Sequence, residues 1–253
     1  MDDLFFFDAN CRFGRRMNGG SPVVETPQQL VETMDRFGVD RALVRHMDIG
    51  NRSTPKSNAD VAAFIDADVS GRLDGVWCIL PEQCPEIPEP EQLAAEMKKH
   101  RIKALTLSPF AHHYLPVKIV IGKYMEMAKK HRIPVLLDAF AGKFDEVYKF
   151  VENFPENLLI YVETGGKWGT DRYIRPLLEN YPDFHFELAG YWMPDGVREL
   201  VDLYGSKRII FGSNYPDYIP TGEMLMLKHS GIPQNALADI CGGNLKRLTE
   251  EII

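Results

Sequence analysis

Residues 133–164 read IPVLLDAFAGKFDEVYKFVENFPENLLIYVET. The stretch opens with an apolar, β-rich run, Ile133–Ala139, and closes with a second, Leu158–Thr164. Between them Val147, Phe150, Val151 and Phe154 fall at i, i+3, i+4 and i+7, the spacing of one helical face, and Pro155 ends the run. The order is strand, helix, strand. Outward in both directions the alternation recurs. Further strands are expected at Leu4–Asp8, Arg41–His46, Leu73–Leu80, Ile102–Ser108, Asp183–Ala189 and Arg208–Ser213, each rich in Val, Ile, Leu, Phe or Tyr and bounded by turn formers.

Helical patterns fill the gaps. Thr26-Pro27 is an N-cap followed by proline at the first helical position, and the helix it opens carries Leu30, Met34 and Phe37 before Gly38. A last helical run, from about Asn235 to Glu250, contains a Gly242-Gly243 break. Pro81–Pro90, with four prolines, reads as an ordered loop after the third strand. Eight strand-then-helix units in 253 residues define an α/β chain, a (β/α)8 TIM barrel formed as one domain over residues 1–253. A doubly wound open sheet is the competing α/β reading. It more often carries a Gly-rich phosphate turn after its first strand, whereas this chain has Asp8-Ala9-Asn10-Cys11-Arg12 there.

Composition narrows the partners. Basic residues number 29 and acidic residues 36, a net charge of −7, with the Lys and Arg dispersed. That argues against nucleic acid, which needs a concentrated basic footprint. No apolar run approaches the roughly 20 residues that span a bilayer, and the acidic N-terminus lacks the basic start of a signal peptide. A cytoplasmic protein acting on a small molecule is the expectation. The four cysteines are scattered without a CxxC pair and read as free thiols. None of the seven histidines forms an HxH or HExxH pair.

Barrels of this type carry their chemistry at the C-terminal ends of the strands. Read there, the chain offers Asp8, Asn10 and Arg12 after strand one, His46 after strand two, and Asp138 after strand five. Glu163 follows strand six, with Trp168 in the loop beyond, and Asn214-Tyr215 follows strand eight. Each has a structural reading beside the functional one. Asp8 suits a bond to the backbone of its own turn, and His46 suits a satisfied structural histidine. Asp138 and Glu163 follow apolar runs, so their carboxylates need partners or shift in pKa, and Arg12 is a candidate partner for either.

Four segments together resemble the amidohydrolase superfamily, in its amidohydrolase-related (amidohydrolase 2) branch. Phe6-Phe7-Asp8-Ala9-Asn10-Cys11-Arg12 is similar to an opening I-D-x-H-x-H strand. Ile133–Asp138 is similar to l-P-v-l-i-H on strand five, and Leu159–Gly166 parallels l-a-H-x-G-G on strand six. Arg208–Pro216 is similar to R-i-l-F-G-S-D-y-P on strand eight and is the most specific of the four. The branch includes decarboxylases and lactonases, and the resemblance implies a metal-dependent hydrolase frame whose members are often dimers. This chain departs from it at each metal position. Asn10 and Arg12 stand for the first-strand histidines, Asp138 and Glu163 for those of strands five and six, and Asn214 for the strand-eight aspartate.

Zinc favours imidazole, thiolate and carboxylate donors, whereas Asn is a weak donor and Arg a fixed cation. The expectation is therefore no bound zinc and no cofactor, with a harder, oxygen-bound ion at Asp138 and Glu163 left as an alternative that Arg12 would compete with. The leading reading is a metal-independent hydrolase of a small anionic or cyclic, lactone-like or ester-like substrate. Asp138, Glu163 and His46 are the candidate catalytic groups. Asn10, Arg12, Asn214, Tyr215 and Trp168 are the candidate substrate contacts. A decarboxylase using the same arginine is the alternative, and a barrel that has lost its chemistry and binds a metabolite or protein is the third reading.

Overall fold

A computed structural model describes residues 4–16, 23–138, 143–162 and 169–252. Eight strands form one parallel sheet in sequence order: β1 Phe7–Phe13, β2 Arg41–His46, β3 Leu73–Cys78, β4 Ile102–Thr106, β5 Val135–Leu137, β6 Leu159–Tyr161, β7 Phe184–Glu187 and β8 Ile209–Ile210. The sheet curls back on itself. Ala9 donates its backbone N–H to the Phe211 carbonyl (3.1 Å), and Arg12 donates to the Tyr215 carbonyl (2.9 Å). These bonds bring the β8 segment against β1, so the fold is a (β/α)8 TIM barrel.

Helix α1, Pro27–Phe37, shows why the helices lie where the sequence places them. Thr26 accepts from the Gln29 N–H and the Gln29 side chain reaches back, a reciprocal capping box. Leu30 and Met34 are buried against the barrel, and Gly38 ends the helix at φ 74°, a left-handed value that costs glycine nothing. Helices α2 Thr54–Asp66, α3 Pro90–Lys99, α4 Lys118–Lys130, α5 Phe144–Asn153, α6 Asp171–Asn180, α7 Gly196–Tyr204 and α8 Thr221–His229 complete the outer ring. The terminal run is three pieces: α9 Gln234–Ala238, a π-helical turn Asp239–Gly243, and α10 Asn244–Glu250. The glycine pair that looked like a break lies within the π-helical turn, where Phe5 packs so closely on Gly242 that a Cβ there would stand 2.6 Å from its ring and its carbonyl.

Two cores separate by strand parity. Phe7, Ala9, Leu43, Val76, Ala104, Leu136, Ile160, Val162 and Ile210 fill the barrel, and Leu245 and Leu248 of α10 join that cluster. The alternate residues, among them Ala42 and Val44, pack outward under the helices, and in β1 Cys11 and Phe13 join them because the register shifts between Asp8 and Cys11. Each buried Leu or Phe contributes about 1.5–3 kcal/mol, so the continuous inner and outer layers hold the barrel without covalent staples.

Strand boundaries differ from the sequence reading in one consequential place. β1 was expected to stop at Asp8 but runs to Phe13, with a register irregularity between Asp8 and Cys11. An extra residue in one strand bends it and re-aims its side chains. Asp8, Asn10 and Arg12 therefore belong to a strand and not to a turn. No helix among the described residues is long and apolar enough to cross a membrane.

Candidate active site at the barrel mouth

Asp8 is fully buried and closes the barrel. Its carboxylate accepts from the Asn10 N–H (2.9 Å), the Ser213 N–H (3.0 Å) and the Ser213 hydroxyl. Burial raises its pKa, and those bonds pull in the opposite direction. Asp8 thus bonds a backbone N–H two residues on, as its sequence neighbourhood suggested, and also the β8 segment 205 residues away.

Beyond that closure Cys11 and Phe13 face outward, which turns Asn10 and Arg12 toward the barrel axis. Asn10 donates to the Val162 carbonyl across the barrel (3.4 Å), while its own Oδ1 has no hydrogen-bond partner among the described residues. Arg12 donates through one terminal nitrogen to Asn214 Oδ1 and to Asp217 Oδ2, the latter at 2.7 Å. Arg16 meets the same Asp217 oxygen. Asn214 sits at φ 59°, a left-handed conformation that Asn tolerates better than most residues, and this aims its amide back at β1. Desolvation, and next the nearby Arg45 charge, lower the Arg12 pKa to about 10, so its guanidinium is still cationic at neutral pH.

Arg45 is the residue that strand-end reading passed over. It is paired in register with Arg12 across β1 and β2, and it alternates with Leu43, which fills the barrel. Its side chain is 1% exposed and lies 2.9 Å from Asp138 Oδ2. None of its three guanidinium nitrogens makes a well-directed hydrogen bond among the described residues, and neither does Asp138 Oδ1. The available sequence signal was period two: if Leu43 points in, residue 45 does as well.

His46, one position on, faces the other way. Its ring stands edge-on to Phe13, which stacks on Phe64 of α2. Its Nδ1 accepts from the Asp48 N–H (3.1 Å) and its Nε2 abuts Arg52 Nη1. Burial, with the Arg52 charge next, lowers its pKa to about 4. The geometry places His46 in the outer layer as a neutral ring, away from the inward groups. Tyr215 also turns outward, its hydroxyl 3.4 Å from Thr33 Oγ1 on α1, so only its backbone meets β1. Asp138 is paired with Arg45, and Arg12 bonds Asp217. Glu163, the other partner the sequence allowed for Arg12, and Trp168 lie outside the described residues. Trp192 is half exposed, donates to Glu223 (3.3 Å), and stands edge-on to Tyr218.

Glu187 on β7 is fully buried and accepts from the Ala189 N–H (2.6 Å). It explains Gly212: a Cβ there would stand 2.1 Å from Glu187 Oε1 and 2.6 Å from its Cδ. Gly212→Ala is expected to destabilise the fold by about 1–3 kcal/mol, as overpacking does, read as a lower urea midpoint at unchanged m-value. An unchanged midpoint would show that Glu187 has room to move.

The described residues do not by themselves make a site for a divalent cation. Two guanidinium groups face the mouth, and no group of three His, Cys, Asp or Glu able to hold a metal exists among the described residues. What the arrangement offers is two cations and a partly exposed carboxylate at the end of a barrel, a set suited to binding an anion and moving a proton.

Barrel and strand register together define a single-domain TIM-barrel protein. A family model described as amidohydrolase (Amidohydro_2) matches residues 13–248, and the chain belongs to that family. The matched stretch begins one residue after Arg12. No curated protein matches the chain.

Solved structures match almost end to end. A TIM-barrel protein of Bordetella bronchiseptica is 16% identical, with a TM-score of 0.70 over 98% of this chain and 99% of its own. The 5-carboxyvanillate decarboxylase of Sphingomonas paucimobilis is 13% identical, with a TM-score of 0.68 over 99% of this chain and 100% of its own. An Acinetobacter baumannii protein described as a probable 2-pyrone-4,6-dicarboxylic acid hydrolase is 13% identical, with a TM-score of 0.71 over 98% of this chain and 100% of its own. At these identities the likeness establishes the fold alone.

Proposed function

We propose that this protein hydrolyses a small anionic ester or lactone at the barrel mouth without a metal ion. The observation that supports the reading best is the buried Arg12, held by Asn214 and Asp217 beside the Arg45–Asp138 pair. Arg12 supplies planar, charge-assisted donors to a substrate carboxylate or to the carbonyl oxygen that gains charge during attack. Asp138 takes a proton from water, the resulting hydroxide adds to the carbonyl carbon, and the acyl carbon–oxygen bond breaks. The departing oxygen is then protonated, with Glu163 as the acid partner, so water and lactone become a hydroxy acid. Esters and lactones are favoured over amides, whose poorer leaving group asks more of a water activated without a metal.

A second reading is decarboxylation, favoured by the decarboxylase among the similar structures. It would use the same arginine on the carboxylate. Product analysis separates the two. Carboxylic acids, esters and lactones are screened by thermal shift, since a ligand that binds only the folded state raises the melting temperature. Those that bind are then assayed for hydrolysis and for carbon dioxide release. Ring opening or ester cleavage is the expected result. Stoichiometric carbon dioxide overturns hydrolysis in favour of the lyase, and turnover of no compound overturns both in favour of a binding protein. Arg12→Gln is expected to weaken binding of the best compound by about 10–100-fold, the worth of a charge-assisted contact. Unchanged affinity would remove Arg12 from the site.

A further inference from the structure

Arg12 and Arg45 are cross-strand partners, and alternation turns both side chains to the inside of the barrel. Like charges so placed repel one another, and both are largely withdrawn from water, with side chains 6% and 1% exposed. Folding keeps such a pair only where something of opposite charge returns the lost stability. Among the described residues the carboxylate bonded to Arg12 is Asp217, at 2.7 Å, and the one paired with Arg45 is Asp138, at 2.9 Å, whose charge also acts on Arg12.

The two partnerships are unequal. Arg12 makes directed bonds to both Asn214 and Asp217. Arg45 has a carboxylate at ion-pair distance but no well-directed hydrogen bond from Nε, Nη1 or Nη2 among the described residues, and Asp138 keeps an unpaired Oδ1. Buried guanidinium donors left unmade are costly, so this fork is built for an acceptor other than Asp138 as it stands. Asp138 is the outer member of the pair, its side chain 13% exposed against 1% for Arg45. An entering anion meets Asp138 first.

We propose that Arg12 and Arg45 form a paired-guanidinium cleft for a compact ligand carrying two carboxylates, one of which takes the place of Asp138 on Arg45. The inference rests on the reading of the mouth as an anion-binding hydrolase site and names the class of anion. One ligand carboxylate lies on Arg12 and the other engages the free fork of Arg45. Asp138, released from its ion pair, is then the carboxylate left facing the substrate. Binding of the doubly charged ligand and freeing of the base become a single event, and a ligand with one carboxylate leaves Asp138 on Arg45.

The test is equilibrium binding by calorimetry at neutral pH and fixed ionic strength. Malonate, succinate and glutarate are compared with acetate, propionate and butyrate, and sulfate and phosphate are run beside them. At least one dicarboxylate is expected to bind about tenfold or more tightly than its monocarboxylate counterpart. Arg45→Gln is expected to bring that ratio close to one while monocarboxylate binding through Arg12 persists. Asp138→Asn, which removes the internal competitor, is expected to tighten dicarboxylate binding severalfold. Should Arg45→Gln fail to fold, Arg45→Lys carries the test, because it keeps the charge and loses the planar fork; the ratio is then expected to fall at least threefold.

Equal affinity for one and two carboxylates overturns the proposal. So does selectivity that survives both Arg45 variants, or sulfate and phosphate binding as tightly as the best dicarboxylate. These readouts involve no turnover, so a failure of hydrolysis leaves the cleft standing. Hydrolysis of a monoanionic ester with no dicarboxylate preference would remove the cleft and keep the enzyme.

Discussion

Replacing Asp138 with Asn is expected to lower kcat for the hydrolysed ester or lactone by about 10²–10⁴-fold, the usual worth of a positioned general base. The neutral amide keeps the shape of the carboxylate but cannot take the proton from water. The substitution also dissolves the ion pair with Arg45 (2.9 Å), so binding of a doubly charged ligand improves while chemistry slows. A split in which kcat falls and KM falls with it separates this role from mere structural damage, which raises KM or unfolds the protein. Adding Glu163→Gln should cost less than its effect alone, because residues acting in one proton relay are not additive. The clean measurement is kcat and KM determined separately for the native protein and Asp138→Asn. A double variant that turns over substrate at the native rate would remove both carboxylates from the chemistry and return the mouth to a binding role.

The second large effect is acid lability. His46 and His185 are each 3% exposed, and each has its pKa lowered from 6.5 to about 4, by burial first in both cases. His185 Nδ1–H donates to the Asp183 carbonyl (3.0 Å), whereas His46 faces donors on both ring nitrogens. Neither ring takes a second proton comfortably in the fold. The unfolded chain binds those protons near pH 6.5, so between 6.5 and 4 it holds more protons than the native state. Stability present above pH 6.5 is therefore lost as the pH falls through that window. About 2.5 pKa units at 1.36 kcal/mol each is roughly 3 kcal/mol per histidine. Two such groups approach the whole stability of an ordinary domain.

Other groups modify the total. Asp60, Asp68 and Asp239 have lowered pKa values and add to the acid loss below about pH 4. Asp8, Asp74 and Glu223 have raised values and offset part of it. Urea unfolding between pH 7 and 4 should show a steep fall with a slope near two protons. His185→Gln should remove about half of that slope, and a profile flat to pH 4.5 would show that both rings accept protons in the native state.

Much of the fold was legible because it is written in local chemistry. The N-cap at Thr26, the i, i+3, i+4, i+7 face of Val147 through Phe154, and the apolar strand runs are short-range signals that survive the barrel intact. The site was legible in part. Arg12, Asn10, Asn214 and Asp138 stand at the mouth as their strand-end positions implied. Arg45 was missed because it precedes a histidine, the residue type that chemistry makes conspicuous. Only alternation from Leu43 separates the two.

The sequence by itself determined the number and order of the strands, the helical faces, the first helix cap and the acidic composition of the chain, because these depend on spacing along the backbone and on composition. Tertiary structure alone decided which arginine meets which aspartate, that Arg12 lies beside Arg45, and that Asp8 closes the barrel on Ser213. The irregularity in β1 and the closing of β8 on β1 set those directions. A shift of one residue in register reverses the face of every side chain beyond it, so the pairings cannot be read from the strand before its neighbours are in place.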